Sequence, residues 1–344
     1  MIGEYLNTLY VMRDQAYVRL DHDTLVIEVE GEKEMQVPVL HLGGLTTFGN
    51  VLISPAVVQR FCQDGRSVVH LSRSGRFVGR IAGPTSGNVL LRQAQYRAVD
   101  DEDMCVFLAR TFVAGKLQNS RSLLQRSARD LPTEQARTRI AAAADHLGQL
   151  ITRLPKASHR NEIRGIEGEG AREVFGVFDL MLTRTRDEFR VTGRTRRPPL
   201  DRSNALLSFF YALLASDCTG ALESVGLDPQ AGFLHALRPG KPALTLDIME
   251  EMRPILGDRL AITLVNRGQI RSNHFESRSD GSVSLTEEGR RAAVLAYQAR
   301  KADEVPHPVL NRKLPIGIVP HMQARLLARL LRGDLETYAP FRLK

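Results

Sequence analysis

The chain is 344 residues long, with 47 Lys and Arg against 39 Asp and Glu for a formal charge of +8, and 43 % of it is hydrophobic. That length favours two domains with enough chain to bury a core unaided, and a globular composition with an arginine-led positive charge makes nucleic acid the leading partner over a merely basic enzyme. Cys62, Cys105 and Cys218 lie far apart with no CxxC pair, which argues against a disulfide framework or a structural zinc site and fits a reducing cytoplasm.

From the N-terminus to about residue 95 the pattern is that of short strands. Ala16 to Leu20, Thr24 to Val29 and Met35 to Val39 are β-branched runs, with Asp21–Asp23 and Gly31–Lys33 as turn material between them. Gly49 to Ile53, Ser67 to Leu71 and Phe77 to Ile81 continue the series. Ser54–Pro55 has the chemistry of an N-cap and first helical position, and predicts a short helix through Cys62. Strands at this spacing predict a compact β-sandwich. Near Gln93 the period changes to that of helices. The expected helices are Asp101 to Arg129, Pro132 to Leu154, Ala171 to Leu182, Ser203 to Leu214, Asp247 to Pro254, Thr286 to Ala302 and Pro320 to Arg332. The fold class expected is α+β, with a small N-terminal β-sandwich domain (1–95) followed by a larger all-α catalytic domain (96–344). Met1 to Asn7 lacks the regions of a signal peptide, and no apolar stretch approaches the roughly 20 residues of a membrane span, so a soluble cytoplasmic protein with no membrane contact is expected.

Three segments carry candidate chemistry. Glu167 lies in Gly165–Ile166–Glu167–Gly168, read as the approach to a helix, where glycines let the backbone come close to a ligand. Taken alone, such a glutamate more often serves the helix dipole or a cap than a ligand. Glu169 competes for the role but, two residues on, should point elsewhere. His235 follows Gly232–Phe233–Leu234 in a turn-rich stretch, where a lone histidine is more often structural than a ligand. Asp247 and Glu250 sit at i and i+3 of a short helix ended by Pro254 and so share a face, with Asp247 a candidate cap. Glu251 should point about 100° away, toward solvent or an arginine. Two acids on one face repel unless a cation lies between them. Carboxylates and a neutral imidazole are the ligands of a hard or borderline divalent cation, and in a basic protein such a site suggests phosphodiester chemistry. The basic run with Arg184, Arg186, Arg194, Arg196, Arg197 and Arg202 reads either as a solvated loop or as a phosphate-contacting loop. Gly240–Lys241 is no phosphate loop, since Pro242 stands where Ser or Thr is required, and GxSxG, HExxH and dinucleotide fingerprints are absent.

Several of these segments, taken in order, resemble the CRISPR-associated protein 1 family, the integrase-like nuclease of CRISPR spacer acquisition. The resemblance covers essentially the whole chain. It includes Leu40–Leu45 and Phe48–Ser54, Gly165–Gly168 with the helix after it, Arg197–Phe209, Gly232–His235 and Asp247–Pro254. The ending Leu331–Leu335 with Tyr338 and Pro340 looks like the branch found with type I-C systems. The resemblance implies a β-rich dimerisation domain and a helical domain holding one Mg²⁺ or Mn²⁺ on Glu167, His235 and Glu250, with Asp247 a further acid beside it. Some relatives carry Asp where this chain has Glu250, which changes reach but keeps the ligand type. It also implies a homodimer that joins a small ferredoxin-like second CRISPR-associated protein and inserts short double-stranded DNA at the repeat array. Asn204 and Tyr211 are candidates for orienting DNA phosphates. A non-catalytic DNA-binding scaffold and a metal-dependent nuclease of structured RNA remain as alternatives.

Overall fold

The computed structural model describes residues 7–73, 75, 77–83, 89–183, 187–191, 193–195 and 198–343. The chain divides into two units, Met1–Ser86 and Gly87–Lys344. The second therefore begins ahead of residue 95.

Among the described residues the first unit holds eight strands and one α-helix. Strands β1 (Thr8–Val11), β5 (Gly44–Phe48), β7 (Ser67–Leu71) and β8 (Phe77–Ile81) form a mixed sheet in the order β1-β5-β7-β8. The first two pairings are parallel and the last antiparallel. A second sheet has the order β4 (Glu32–Pro38), β3 (Thr24–Val29), β2 (Tyr17–Asp21) and β6 (Leu52–Ile53). Glu30 (φ 53°) and Gly31 (φ 83°) link β3 to β4, the positive-φ pair that matches the right-handed twist of a hairpin. Helix α1 (Pro55–Gln63) starts as its sequence predicts, with the Ser54 side chain accepting from the Val57 N–H, a cap worth about 1 kcal/mol. Val11 and Leu45 of one sheet, Val18, Leu25 and Ile27 of the other, and Val57 and Phe61 of α1 share one core. The expected sandwich is thus present, with two strands, β1 and β5, that the alternation did not reveal.

The second unit is mostly helical. Its axis is α3 (Glu102–Arg129), a 28-residue helix capped by the Asp101 carboxylate on the Asp103 and Met104 N–H groups. Against it pack α4 (Glu134–Arg153), α5 (Arg160–Val177) and α7 (Ala243–Met252). α2 (Val89–Asp100), α6 (Arg202–Ser224), α8 (Arg259–Asn266), α9 (Glu287–Ala302) and α10 (Val319–Leu331) complete the set of α-helices. The unit is not all-α. Two antiparallel hairpins, β9 (Phe275–Ser277) with β10 (Val283–Leu285) and β11 (Glu304–His307) with β12 (Arg312–Pro315), fill the stretch around α9. α6 corrects the reading of apolar runs. At 23 residues it is long and apolar enough to cross a membrane, yet Phe209, Phe210, Leu213, Leu214 and Cys218 are buried against protein, as in a core helix.

Two helix starts differ from expectation, and both bear on the site. α5 begins at Arg160, not Ala171, so Glu167 lies mid-helix among glycines rather than at an N-terminus. Gly170 explains part of this: a Cβ there would collide with Leu117 of α3, so the glycine permits close helix packing. α7 begins at Ala243, which puts Asp247 in its interior. Nor does Pro254 end the path. The chain widens into a π-helical turn, Arg253–Asp258, that runs straight into α8. Such turns are frequent at functional sites.

Candidate active site

Four elements converge on one cluster: α3, α5, α7 and the loop that holds His235. The loop is fixed first. Gly232 lies so close to α7 that an added Cβ would sit 2.6 Å from the Ala243 carbonyl carbon and 2.7 Å from Asp247 Oδ2. This close approach lets Asp247 act as a backbone anchor. Its Oδ2 accepts from the Phe233 N–H (2.6 Å) and the Leu234 N–H (3.0 Å), and its Oδ1 from the His235 N–H (3.0 Å). Oδ1 also pairs with His235 Nδ1 at 2.7 Å. Asp247 is therefore no helix cap; it is a fully buried acid whose oxygens orient a loop and an imidazole. With Nδ1 carrying its proton toward Asp247, His235 presents Nε2 outward, 3.9 Å from Glu250 Oε1. From α5, Arg164 Nε donates to the Leu234 carbonyl (2.7 Å), tying the loop to the helix face that carries Glu167 one turn later.

Glu167 and Glu250 meet through a cation the sequence did not single out. The Lys116 ammonium on α3, nearly buried, donates to Glu167 Oε1 and lies 2.7 Å from Glu250 Oε2. At that distance Lys116 and Glu250 form a close, buried ion pair. Glu250 Oε1 takes Arg253 Nη1 at 3.0 Å. Burial alone would raise the Glu250 pKa, but Arg253, Lys116 and His235 outweigh it and hold the carboxyl well below its ordinary value. Burial likewise works against the Lys116 ammonium, and the two carboxylates reverse it, so that its pKa lies above the usual lysine value. A signal for Lys116 was present: it stands four residues after Phe112 and seven after Ala109, on the apolar stripe of α3.

Beside this cluster Tyr211 of α6 donates its hydroxyl to Asp258, with the Arg194 and Arg253 guanidinium groups 5.3 and 5.1 Å from its ring centroid. Gly257 makes room for the ring, since a Cβ there would sit 2.5 Å from Tyr211 Cε1. Lys116, Arg194, Tyr211, Arg253 and Asp258 line one cavity, so three cations face a single space next to the carboxylates.

The remaining sequence candidates separate. Glu169 turns to His146 and Arg153, each at 3.1 Å, away from Glu167. Glu251 does not face solvent or an arginine. It is fully buried, accepting from the Tyr338 hydroxyl (2.7 Å), Gln323 Nε2 (2.8 Å) and the Phe341 N–H (2.6 Å), and burial pushes its pKa up to about 8. Asn204 is also spent on the fold. Its Nδ2 donates to the Gly193 carbonyl (2.8 Å) and to Asp201 (2.5 Å), while Oδ1 accepts from Arg194 (2.8 Å) and the Thr195 N–H (3.2 Å). That fills its capacity and leaves nothing for a DNA phosphate. Arg194 reaches Ser208 at 3.0 Å as well, and Arg202 donates to the Glu188 carbonyl at 2.7 Å. Arg184, Arg186, Arg196 and Arg197 lie outside the described residues.

Among the described residues no three His, Cys, Asp or Glu side chains stand together at metal-binding distances. The donor set nevertheless fits a divalent cation. Two carboxylates already share one positive charge, and an outer carboxylate fixes the imidazole tautomer in the way metal-binding histidines are oriented.

The cluster thus lies in a mostly helical unit that follows a β-rich one, beside a cavity lined by Lys116, Arg194 and Arg253. Residues 9–299 match the family described as CRISPR associated protein Cas1. A "CRISPR-associated endonuclease Cas1 1" from Moorella thermoacetica is 51 % identical over 336 residues, 98 % of each chain. Three solved structures share the fold. A CAS1 protein from Thermotoga maritima superimposes with a TM-score of 0.83 at 24 % identity, over 97 % of this chain and 99 % of that one. A casposase bound to integration product gives 0.83 at 22 %, over 97 % and 92 %. A chain of a Cas6-RT-Cas1–Cas2 complex gives 0.82 at 24 %, over all of this chain and 36 % of that one. The chain belongs to the Cas1 family.

Proposed function

We propose that this protein is a divalent-metal-dependent DNA endonuclease and integrase that inserts short DNA duplexes into a CRISPR repeat array. The observation that carries the reading is the shared cation of Glu167 and Glu250 beside an imidazole whose tautomer Asp247 fixes. The resemblance to endonuclease relatives and to a casposase seen with its integration product supports the same chemistry. A bound Mg²⁺ or Mn²⁺ would polarise the scissile phosphate and offset its developing charge. Glu167 and Glu250 would hold it through oxygen and His235 through Nε2.

The chain's own side chains do the rest. Asp247 keeps the Nδ1 proton on His235, so Nε2 retains its lone pair. Arg253 and Lys116 place positive charge at the rim of the cavity, where a phosphodiester can be received without direct base contact. The attacking group is a DNA 3′-hydroxyl in joining or water in cleavage: one P–O bond forms, the bond to the departing 3′-oxygen breaks, and that oxygen leaves with a proton. Covalent attack by the protein is disfavoured at this site. The Tyr211 hydroxyl is committed to Asp258, and burial pushes its pKa well above the ordinary value. The Cys105 and Cys218 thiols are buried, which raises their pKa values too. In this reading the protein works as a homodimer with the small second CRISPR-associated protein, and a structural neighbour described as a Cas6-RT-Cas1–Cas2 complex supports the partnership. The test is joining of a short duplex into repeat DNA, with that partner added, in Mn²⁺ and in excess chelator. Joining that persists undiminished in chelator refutes the metal-dependent mechanism.

A further inference from the structure

A buried lysine between two carboxylates needs a reason beyond stability, because burial of an ion pair costs desolvation that an apolar pair would avoid. Lys116 has the features of a temporary tenant. Its ammonium takes one oxygen from each of the two acids that would hold a divalent cation, Glu167 Oε1 and Glu250 Oε2. Glu250 does not depend on it for neutralisation, since Arg253 holds Oε1 at 3.0 Å. The lysine stem is a flexible four-carbon chain, and the cavity next to it offers Asp258 as a second acidic partner.

We propose that Lys116 is an exchangeable counter-cation: in the metal-free protein it holds Glu167 and Glu250 together, and it cedes them to the incoming divalent cation by swinging into the Arg194–Tyr211–Asp258 cavity, where it can meet a DNA phosphate. The inference rests on the metal-dependent reading above. It gives metal loading a defined competitor and assigns a phosphate-facing role to a residue on α3. Two like-charged occupants cannot share one carboxylate pair at close range without strong repulsion, so the exchange is one for one.

The test is calorimetric titration of Mn²⁺ into the full, DNA-free protein and its Lys116→Met and Lys116→Gln variants. Removing the competitor should tighten Mn²⁺ binding about tenfold or more, while activity need not rise. Equal or weaker Mn²⁺ binding by folded variants overturns the proposal. No saturable binding by any of the three proteins overturns the metal reading itself, a separate result. Should both variants fail to fold, NMR of wild-type protein with isotope-labelled lysine decides, with the Lys116 signal assigned from Lys116→Arg. Saturable movement of that signal with Mg²⁺ supports exchange, and a signal unmoved through saturation refutes it.

Discussion

Replacing Asp247 by Asn separates positioning from ligation at this site. The carboxylate accepts four hydrogen bonds, three from backbone N–H groups of Phe233, Leu234 and His235 and one from His235 Nδ1. An amide keeps one accepting oxygen, so two donors are left facing an NH₂ group. Hydrogen bonds to a charged acceptor contribute about 1.5–3 kcal/mol each, so losing two costs about 3 kcal/mol or more before relaxation. The imidazole can recover one bond by moving its proton to Nε2 and accepting from the amide at Nδ1. That places a proton, not a lone pair, on the nitrogen that faces Glu250. Loss of such an orienting partner typically lowers metal affinity about 10–100-fold. Asp247→Asn should therefore melt earlier, bind Mn²⁺ about 10–100-fold more weakly by calorimetry, and join DNA correspondingly poorly at limiting metal. Wild-type Mn²⁺ affinity in a folded Asp247→Asn protein would refute the positioning role.

Glu167→Gln, His235→Ala and Glu250→Gln should each abolish strand joining in a gel assay with circular dichroism unchanged, while Glu169→Ala stays close to wild type; full activity in any of the first three removes that residue from the site. Glu251 supplies a pH test. Its carboxyl is pushed from 4.5 to about 8, so between those values the folded protein holds a proton the unfolded chain has released. Stability from this group is then complete below about pH 4.5 and falls by up to about 1.4 kcal/mol per unit until about pH 8. Glu251→Gln copies the neutral acid, so the difference in denaturation midpoint between variant and wild type should widen in the variant's favour with rising pH; a constant difference refutes the buried-acid account. Duplex binding should be insensitive to sequence and lose about 10³-fold affinity from 50 to 200 mM salt if six or more phosphates are engaged. Neutralising Arg194, Arg196 and Arg197 together should flatten that slope in a filter-binding series, and an unchanged slope places the DNA path elsewhere.

The structure brings Glu167, His235 and Glu250 into one cluster, but on elements that start and end where the sequence pattern did not predict. Glycines at 165, 168 and 170 make the run around Glu167 look like a loop, because glycine costs about 1 kcal/mol in a helix interior. Packing overrides this: Gly170 admits Leu117 of α3, and α5 runs through. Pro254 reads as a stop signal, yet a π-helical turn accommodates it and continues into α8. Glu251 was misread because helical geometry fixes only the direction of its side chain, and the buried surface it meets comes from Tyr338 and Phe341, 87 and 90 residues along the chain. Asn204 is a different case: its amide is filled by Gly193, Arg194, Thr195 and Asp201, all just upstream, because the loop folds back onto the start of α6.

Consecutive acids on α7 serve opposite sides of one helix contact. Successive helical residues diverge by about 100°, so Glu250 can face the cavity while Glu251 faces the C-terminal segment. α3 answers both from one face, with Lys116 meeting Glu250 and Asn119, three residues on, donating to the Glu251 carbonyl (2.8 Å) and the Phe341 carbonyl (2.9 Å). The Leu343 N–H closes the arrangement on Asn119 Oδ1 at 2.9 Å. Gly115 allows it, since a Cβ there would lie 2.9 Å from Pro340 and 3.0 Å from Glu251. A buried polar network with its partners filled is rigid in a way that apolar contact alone is not. The rear network thus sets the spacing of α3 and α7, and that spacing sets how Lys116 approaches Glu250. Among the described residues no hydrogen bond or ion pair joins the C-terminal segment to Glu167, His235 or Glu250, yet that segment ties together the two helices on which the cation cluster is built.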